Sequence, residues 1–188
     1  MGRWEPNAEG RLAKAAIELF TERGYEQTTV AEIAERAGLT ERTFFRHYAD
    51  KREVLFAGSI QFRDTFVAGI EHADPSSTPL QVVADAAKRA AAMLDQRRGR
   101  EFAQARQRMI VANPELRERE LIKLADVTAA MAQALRARGV DEPDASMTAE
   151  LGMAAFRVAF ERWLPAGQGR TFAELIDEAL SSVASVVA

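Results

Sequence analysis

Thr40, Arg42, Thr43, Arg46 and His47 fall within one eight-residue stretch. Together they offer hydroxyls that donate and accept, guanidiniums that can fork onto a guanine edge, and an imidazole that can meet a phosphate. Such a set recognises a polyanion only if one rigid element holds it outward. The surrounding stretch from Thr29 to Leu55, TVAEIAERAGLTERTFFRHYADKREVL, supplies that element. Val30, Ile33, Ala34 and Ala37 repeat at helical spacing. Gly38 breaks the repeat and can take the left-handed conformation that ends a helix. Thr40 follows as an N-cap. The helix after it, Glu41 to Tyr48, is short and turns Arg42, Thr43, Arg46 and His47 outward. This is a helix-turn-helix with its charged helix presented to a groove, and the chemistry points to double-stranded DNA.

The overall charge argues mildly the other way. The formal net charge is −3, and the segment up to Gly58 holds nine Lys and Arg against ten Asp and Glu. Local charge matters more, because screening removes charges beyond roughly 10 Å. From Arg42 to Arg52, four cations and His47 face only Asp50. A small basic face on an acidic protein implies modest non-specific affinity for DNA.

With 188 residues, 47% apolar and 28% charged, the chain is long and apolar enough to fold around a real core. It has no cysteine, which excludes disulfides and thiolate metal sites. Apolar runs are short and interrupted by charges, and the first ten residues lack a secretory apolar segment, so no membrane partner is expected and a cytoplasmic location follows. No glycine-rich phosphate loop, nucleophile elbow or paired histidine is present, so the chain reads as a non-enzyme with no cofactor. His72 beside Asp74 could be read as a metal pair. A lone histidine in a polar linker is simply exposed far more often, and no metal is expected.

The patterning predicts an all-α chain of about nine helices. The six prolines fall at the edges of periodic segments, where a helical protein tolerates them. The first helix runs from about Asn7 to Arg23, with Leu12, Ala16, Leu19 and Phe20 inward. The second spans Val30 to Ala37. Asp50 and Glu53 form a D-x-x-E box that opens a long fourth helix reaching Ile70. Further helices run from Pro79 to Gln96, through the basic Arg97, Arg98 and Arg100 to Asn113, from Pro114 to Gly139, and from Ala145 to Leu164. A glycine-rich loop, Pro165 to Arg170, precedes a second capping box at Thr171 and Glu174 and a last helix.

In the C-terminal two thirds, Phe62, Phe66, Met93, Phe102 and Met109 are large apolar residues at helical positions. Met131, Phe156, Phe160 and Trp163 continue the set. They serve either a packed core or an adaptable apolar cavity, for which mixed methionines and aromatics are suited. Arg106 could supply such a cavity with a polar contact. The eighth helix is apolar on two sides, with Leu151, Ala155 and Val158 on one. The last carries Leu175, Ile176, Ala179, Leu180 and Val183. The two helices suit an isologous four-helix contact in a homodimer, or an intrachain bundle.

The segment AAIELFTERGYEQTTVAEIAERAGLTERTFFRHYADKREVL, with its G-Y-x-x-T-T, A-G-L-T and F-x-x-H-Y-x-x-K elements in order, resembles the DNA-binding domain of TetR-family transcriptional regulators. ANPEL at Ala112 to Leu116 resembles a frequent helix join in such proteins. The resemblance implies a homodimeric repressor, less often an activator, whose C-terminal domain binds a small effector. By position it implies that Thr40, Arg42 and Thr43 face base edges. His47, Tyr48 and Lys51 would contact phosphates, with Thr28 or Thr29 at the start of the second helix. Phe45 departs from the tyrosine found in many members. It lacks the hydroxyl that reaches phosphate, so it contacts a thymine methyl or packs.

The resulting expectation is two domains: a helix-turn-helix DNA-binding domain over 1–54 and a helical ligand-binding and dimerisation domain over 55–188. The function expected is a sequence-specific transcriptional repressor released from its operator by an apolar or amphipathic ligand. The alternatives are a ligand-independent regulator of the same fold, and a helical interaction protein that has lost DNA binding.

Overall fold

The computed structural model describes residues 7–165 and 169–187, with side chains omitted at 97, 98 and 184–187. Among these residues the chain forms α1 (Ala8–Arg23), α2 (Val30–Arg36), α3 (Glu41–His47), a 3-10 turn (Glu53–Phe56), α4 (Ser59–Glu71), α5 (Pro79–Ala112), α6 (Pro114–Ala137), α7 (Glu142–Trp163) and α8 (Phe172–Val187), with no strand.

Local sequence explains most boundaries. The Asn7 side chain accepts from the Gly10 amide and caps α1. Thr29 and Glu32 close a reciprocal capping box at the start of α2, and Thr171 and Glu174 do the same at α8. Gly38 has φ 66, where a side chain would be strained, and so permits the tight turn from α2 to α3. Pro143 sits in the first turn of α7, where its missing N–H costs nothing, and α7 therefore begins earlier than the expected Ala145.

One expected boundary needs correcting. The long fourth helix is interrupted. Asp50 Oδ1 does accept from the amides of Arg52 and Glu53, at 2.8 and 3.2 Å. The Glu53 carboxylate accepts from Arg119 Nε at 2.6 Å. Val54, Leu55 and Phe56 are all buried. The segment closes as a 3-10 turn, and Ala57 (φ −53, ψ 123) leaves the helical region before α4 starts. The two helices expected over 79–113 are both present: α5 is broken at Gly99, whose backbone (φ 72, ψ 170) is not helical.

The chain divides into two compact units. One comprises the described residues up to Gly58 together with Phe102–Glu120; the other holds Ser59–Glu101 and the residues from Leu121 onward. The expected division at 54/55 made no place for the returning segment 102–120. In the first unit, Leu12, Leu19 and Phe20 of α1 pack with Ile33 and Phe44, and Ile110 and Leu116 of the returning segment join the same core. In the second unit, α7 and α8 pack together, and α5 offers a row of buried alanines (Ala86, Ala87, Ala90, Ala91). Small residues bring helices close. A Cβ built on Gly69 of α4 would stand 2.9 Å from Ala86 Cα, and one on Gly152 of α7 would stand 2.0 Å from Val83 Cγ1. No described helix is long and apolar enough to cross a membrane.

Candidate nucleic-acid interface

α3 has seven residues and is seated by one of them. The Phe44 side chain is fully buried, meeting Tyr48 at 5.4 Å between ring centres. Thr40 caps the helix, its Oγ1 accepting from the Thr43 amide at 3.2 Å. The rest of the surface faces outward. Arg42, Phe45, Arg46 and His47 are exposed, and Thr43 is half-buried with its hydroxyl 3.1 Å from that of Thr40. Short as it is, α3 is fixed by a core aromatic and a cap, so its outward side chains share one rigid base.

Other expected contact residues lie further inside. Thr28 is 1% exposed, and its hydroxyl donates to the Gly24 carbonyl at 2.9 Å. Tyr48 is buried, with its hydroxyl donating to the Glu9 carbonyl at 3.2 Å. Lys51 is half-buried. Its Nζ donates to the carbonyls of Tyr25, Glu26 and Thr28 at 3.0, 3.4 and 3.4 Å and lies over the Tyr25 ring. Thr29 is exposed, with its hydroxyl donating to Glu32 at 2.9 Å.

Charges around α3 are arranged in pairs. Arg52 meets Asp50 at 2.6 Å, Arg23 meets Glu32 at 2.7 Å, and Arg36 meets Glu22 at 2.9 Å. Arg52 holds the Asp50 carboxyl below its ordinary value, helped by the Glu53 and Arg52 amides. The Thr29 amide, then the Thr29 hydroxyl, lower Glu32. Burial, followed by a hydrogen bond to the Glu115 carboxylate, pushes the Tyr25 phenol well up.

The sequence reading missed the polar support beneath this surface. Arg106 Nε donates to the Leu55 carbonyl at 2.8 Å, its Nη1 meets Glu120 at 2.9 Å, and its guanidinium lies over the Phe56 ring. With Arg119–Glu53 and Arg106, the returning segment grips the 3-10 turn. The one sequence signal was ANPEL, which marks the α5–α6 join but not what the join packs against.

The candidate cavity residues separate into two groups. Phe102 and Met109 pack against the core of the first unit, where Arg106 also acts. Phe62, Phe66, Phe156, Phe160 and Trp163 come together in the second unit with Phe172, at ring-centre distances from 5.0 to 6.5 Å. Met93 meets Thr65 of α4, and Met131 is fully buried near Gly152. Of the candidate dimer residues, Ala155, Leu175, Ile176 and Ala179 are buried within the chain, Leu151, Leu180 and Val183 are half-buried, and Val158 is 48% exposed.

Comparison with known proteins agrees with this arrangement. Residues 12–57 match the family described as bacterial regulatory proteins, tetR family, and residues 77–188 match the MftR C-terminal domain. The HTH-type transcriptional regulator TcmR of Streptomyces glaucescens is 41% identical over 76 residues, covering 40% of this chain and 34% of TcmR. The matched stretch thus spans about a third of the length of such relatives. Among solved structures, FadR from Bacillus subtilis in complex with stearoyl-CoA has a TM-score of 0.65 at 19% identity, covering 94% of this chain and 97% of that one. Thermus thermophilus FadR in complex with lauroyl-CoA has a TM-score of 0.52 at 23% identity, covering 94% and 93%. With an outward α3 on a buried aromatic seat, a helical second unit, and family matches over both, the chain belongs to the TetR family of bacterial transcriptional regulators.

Proposed function

We propose that this regulator is a homodimeric repressor that inserts α3 into the major groove of a palindromic operator and releases it when an amphipathic ligand binds the second unit. The observation that carries the DNA half is α3: Phe44 anchors it and leaves Arg42, Phe45, Arg46 and His47 outward. Thr40, Arg42 and Thr43 then read base edges, Arg42 by bidentate pairing with guanine. Thr29 and His47 contact phosphates. Thr28, Tyr48 and Lys51 support the unit from within, through the carbonyls they already hold.

The effector reading is supported by the aromatic cluster of α4, α7 and α8. Phe62 and Phe160 are only half-buried there, so an acyl chain has apolar surface left to cover. Two regulators of similar fold are bound to stearoyl-CoA and lauroyl-CoA, which makes fatty acyl-CoA the first ligand class to test. A ligand shifts DNA affinity only by its preference for one conformation over the other. The chain passes between its units after Gly58, after Glu101 and within α6, and the relay is proposed to run along α5 and α6 as well as through Gly58. The dimer is proposed to form on α7 and α8, where a partner would cover Val158, Leu151, Leu180 and Val183.

The test is thermal unfolding with and without long-chain acyl-CoA, paired with release of a bound operator duplex. Stabilisation that grows with ligand concentration, together with release, supports the reading. Operator binding unchanged by any acyl-CoA or other amphipathic ligand favours the ligand-independent regulator.

A further inference from the structure

We infer that Phe45 recognises a thymine in each operator half-site by packing on its C5 methyl group. The inference rests on the DNA-binding reading of α3. Phe45 is 55% exposed on a helix whose other outward residues are polar or charged. An exposed ring gains little from the fold, because the stabilisation of apolar surface comes from its removal from water. Its position is nevertheless defined: the ring meets fully buried Phe44 edge-to-face, at 5.6 Å between centres and 79° between planes. Arg42 lies one turn earlier, so both side chains project from the same side of α3. A guanidinium that enters the major groove therefore carries the phenyl ring in with it. The ring has no donor or acceptor and can bond neither a phosphate oxygen nor a base nitrogen. The apolar group that the major groove displays is the thymine methyl.

Deoxyuridine lacks only that methyl. The experiment takes an operator selected from random duplexes, replaces each thymine in turn by deoxyuridine, and measures affinity for wild type, Phe45→Ala and Phe45→Leu. For wild type, one symmetric thymine position is expected to lose roughly fourfold per half-site, the worth of one buried methyl group. Phe45→Ala, at an exposed position, is expected to fold, to bind more weakly, and to treat thymine and deoxyuridine alike. Phe45→Leu retains apolar surface and part of the preference. Phosphate contacts are untouched, so the salt dependence of binding stays that of wild type in both variants. Indifference of wild type to deoxyuridine at every position overturns the inference while leaving α3 as the DNA reader. Discrimination retained in Phe45→Ala overturns it equally, and failure to enrich any operator overturns both.

Discussion

Lys51 Nζ lies 3.0 Å from the Tyr25 carbonyl oxygen and 4.3 Å from the centre of the Tyr25 ring. One side chain thus ties the segment after α3 to the loop that leads into α2. Hydrogen bonds to a charged group contribute roughly 1.5–3 kcal/mol each when well made, and a cation over an aromatic ring from about 0.5 to about 2 kcal/mol. With Lys51 half-buried, Lys51→Met is expected to destabilise the first unit by about 1–3 kcal/mol, read as a lower midpoint in thermal unfolding. An unchanged midpoint with weakened DNA binding would instead make Lys51 a phosphate contact and nothing more.

Arg106 makes a second tie. It joins the Leu55 carbonyl, the Glu120 carboxylate and the Phe56 ring. Arg106→Met leaves Glu120 without this partner and the 3-10 turn without its clamp. A loss of about 2 kcal/mol in stability is expected, with weaker operator binding as α3 loses support. A double-mutant cycle with Glu120→Gln measures the shared part; strict additivity would refute the clamp.

The two close helix approaches give a packing test of opposite sign to helix propensity. Alanine within a helix is normally better than glycine by about 0.5–1 kcal/mol. At Gly69 the new Cβ meets Ala86 backbone, which cannot rotate away, and at Gly152 it meets the Val83 side chain. Both alanine variants are expected to lose about 1–3 kcal/mol by overpacking. Val83→Ala should restore part of the loss at Gly152 and none at Gly69, as judged by denaturant midpoints.

Much of this fold was legible in residue order. Asn7, Thr29, Thr40 and Thr171 announce helix starts because a short oxygen-bearing side chain can satisfy free amides, and the structure uses all four. Gly38 marks its turn just as locally, because its φ of 66 suits a residue without a side chain. Failures arose where distant groups compete. The Asp50–Glu53 box read as the start of a long helix, but the segment closes as a 3-10 turn that also meets Arg119, 66 residues away. Phe102 and Met109 read like Phe62 and Phe156 in any local window, yet the first pair packs with α1–α3 and the second with α7 and α8. The outward residues of α3 were found by motif. The inward roles of Thr28, Tyr48 and Lys51 needed the coordinates, because a carbonyl partner leaves no mark in sequence.

The capping boxes also set an acid limit. Glu32 is held below its ordinary value of 4.5 by the Thr29 amide and then by the Thr29 hydroxyl. Glu174 is lowered in the same way by Thr171. A lowered folded-state value gives stability that is present above the unfolded value and lost as pH falls through the folded one. Unfolding free energy is therefore expected to fall on acidification below about pH 4.5. Glutamine keeps an oxygen that accepts from the cap, so Glu32→Gln with Glu174→Gln should flatten this dependence without removing either helix start. An unchanged slope from about pH 3 to pH 6 would place the acid sensitivity elsewhere.

In the proposed reading, Arg42 is the side chain on which base reading most depends. Arg42→Ala is expected to cost about 1–3 kcal/mol at the cognate site and to relax one base position in each half-site. His47→Ala should weaken all sequences alike, since a phosphate contact carries no base information. Both are measured by competition between cognate and scrambled duplexes.

The most direct test of the central claim is selection of random duplex DNA on the purified protein at low and moderate salt. The account predicts enrichment of a palindrome whose half-sites are spaced by roughly one helical turn or more, bound by two protomers and weakened by Arg42→Ala. A folded dimer that enriches no sequence would contradict it and reduce the helix-turn-helix to a scaffold for other interactions.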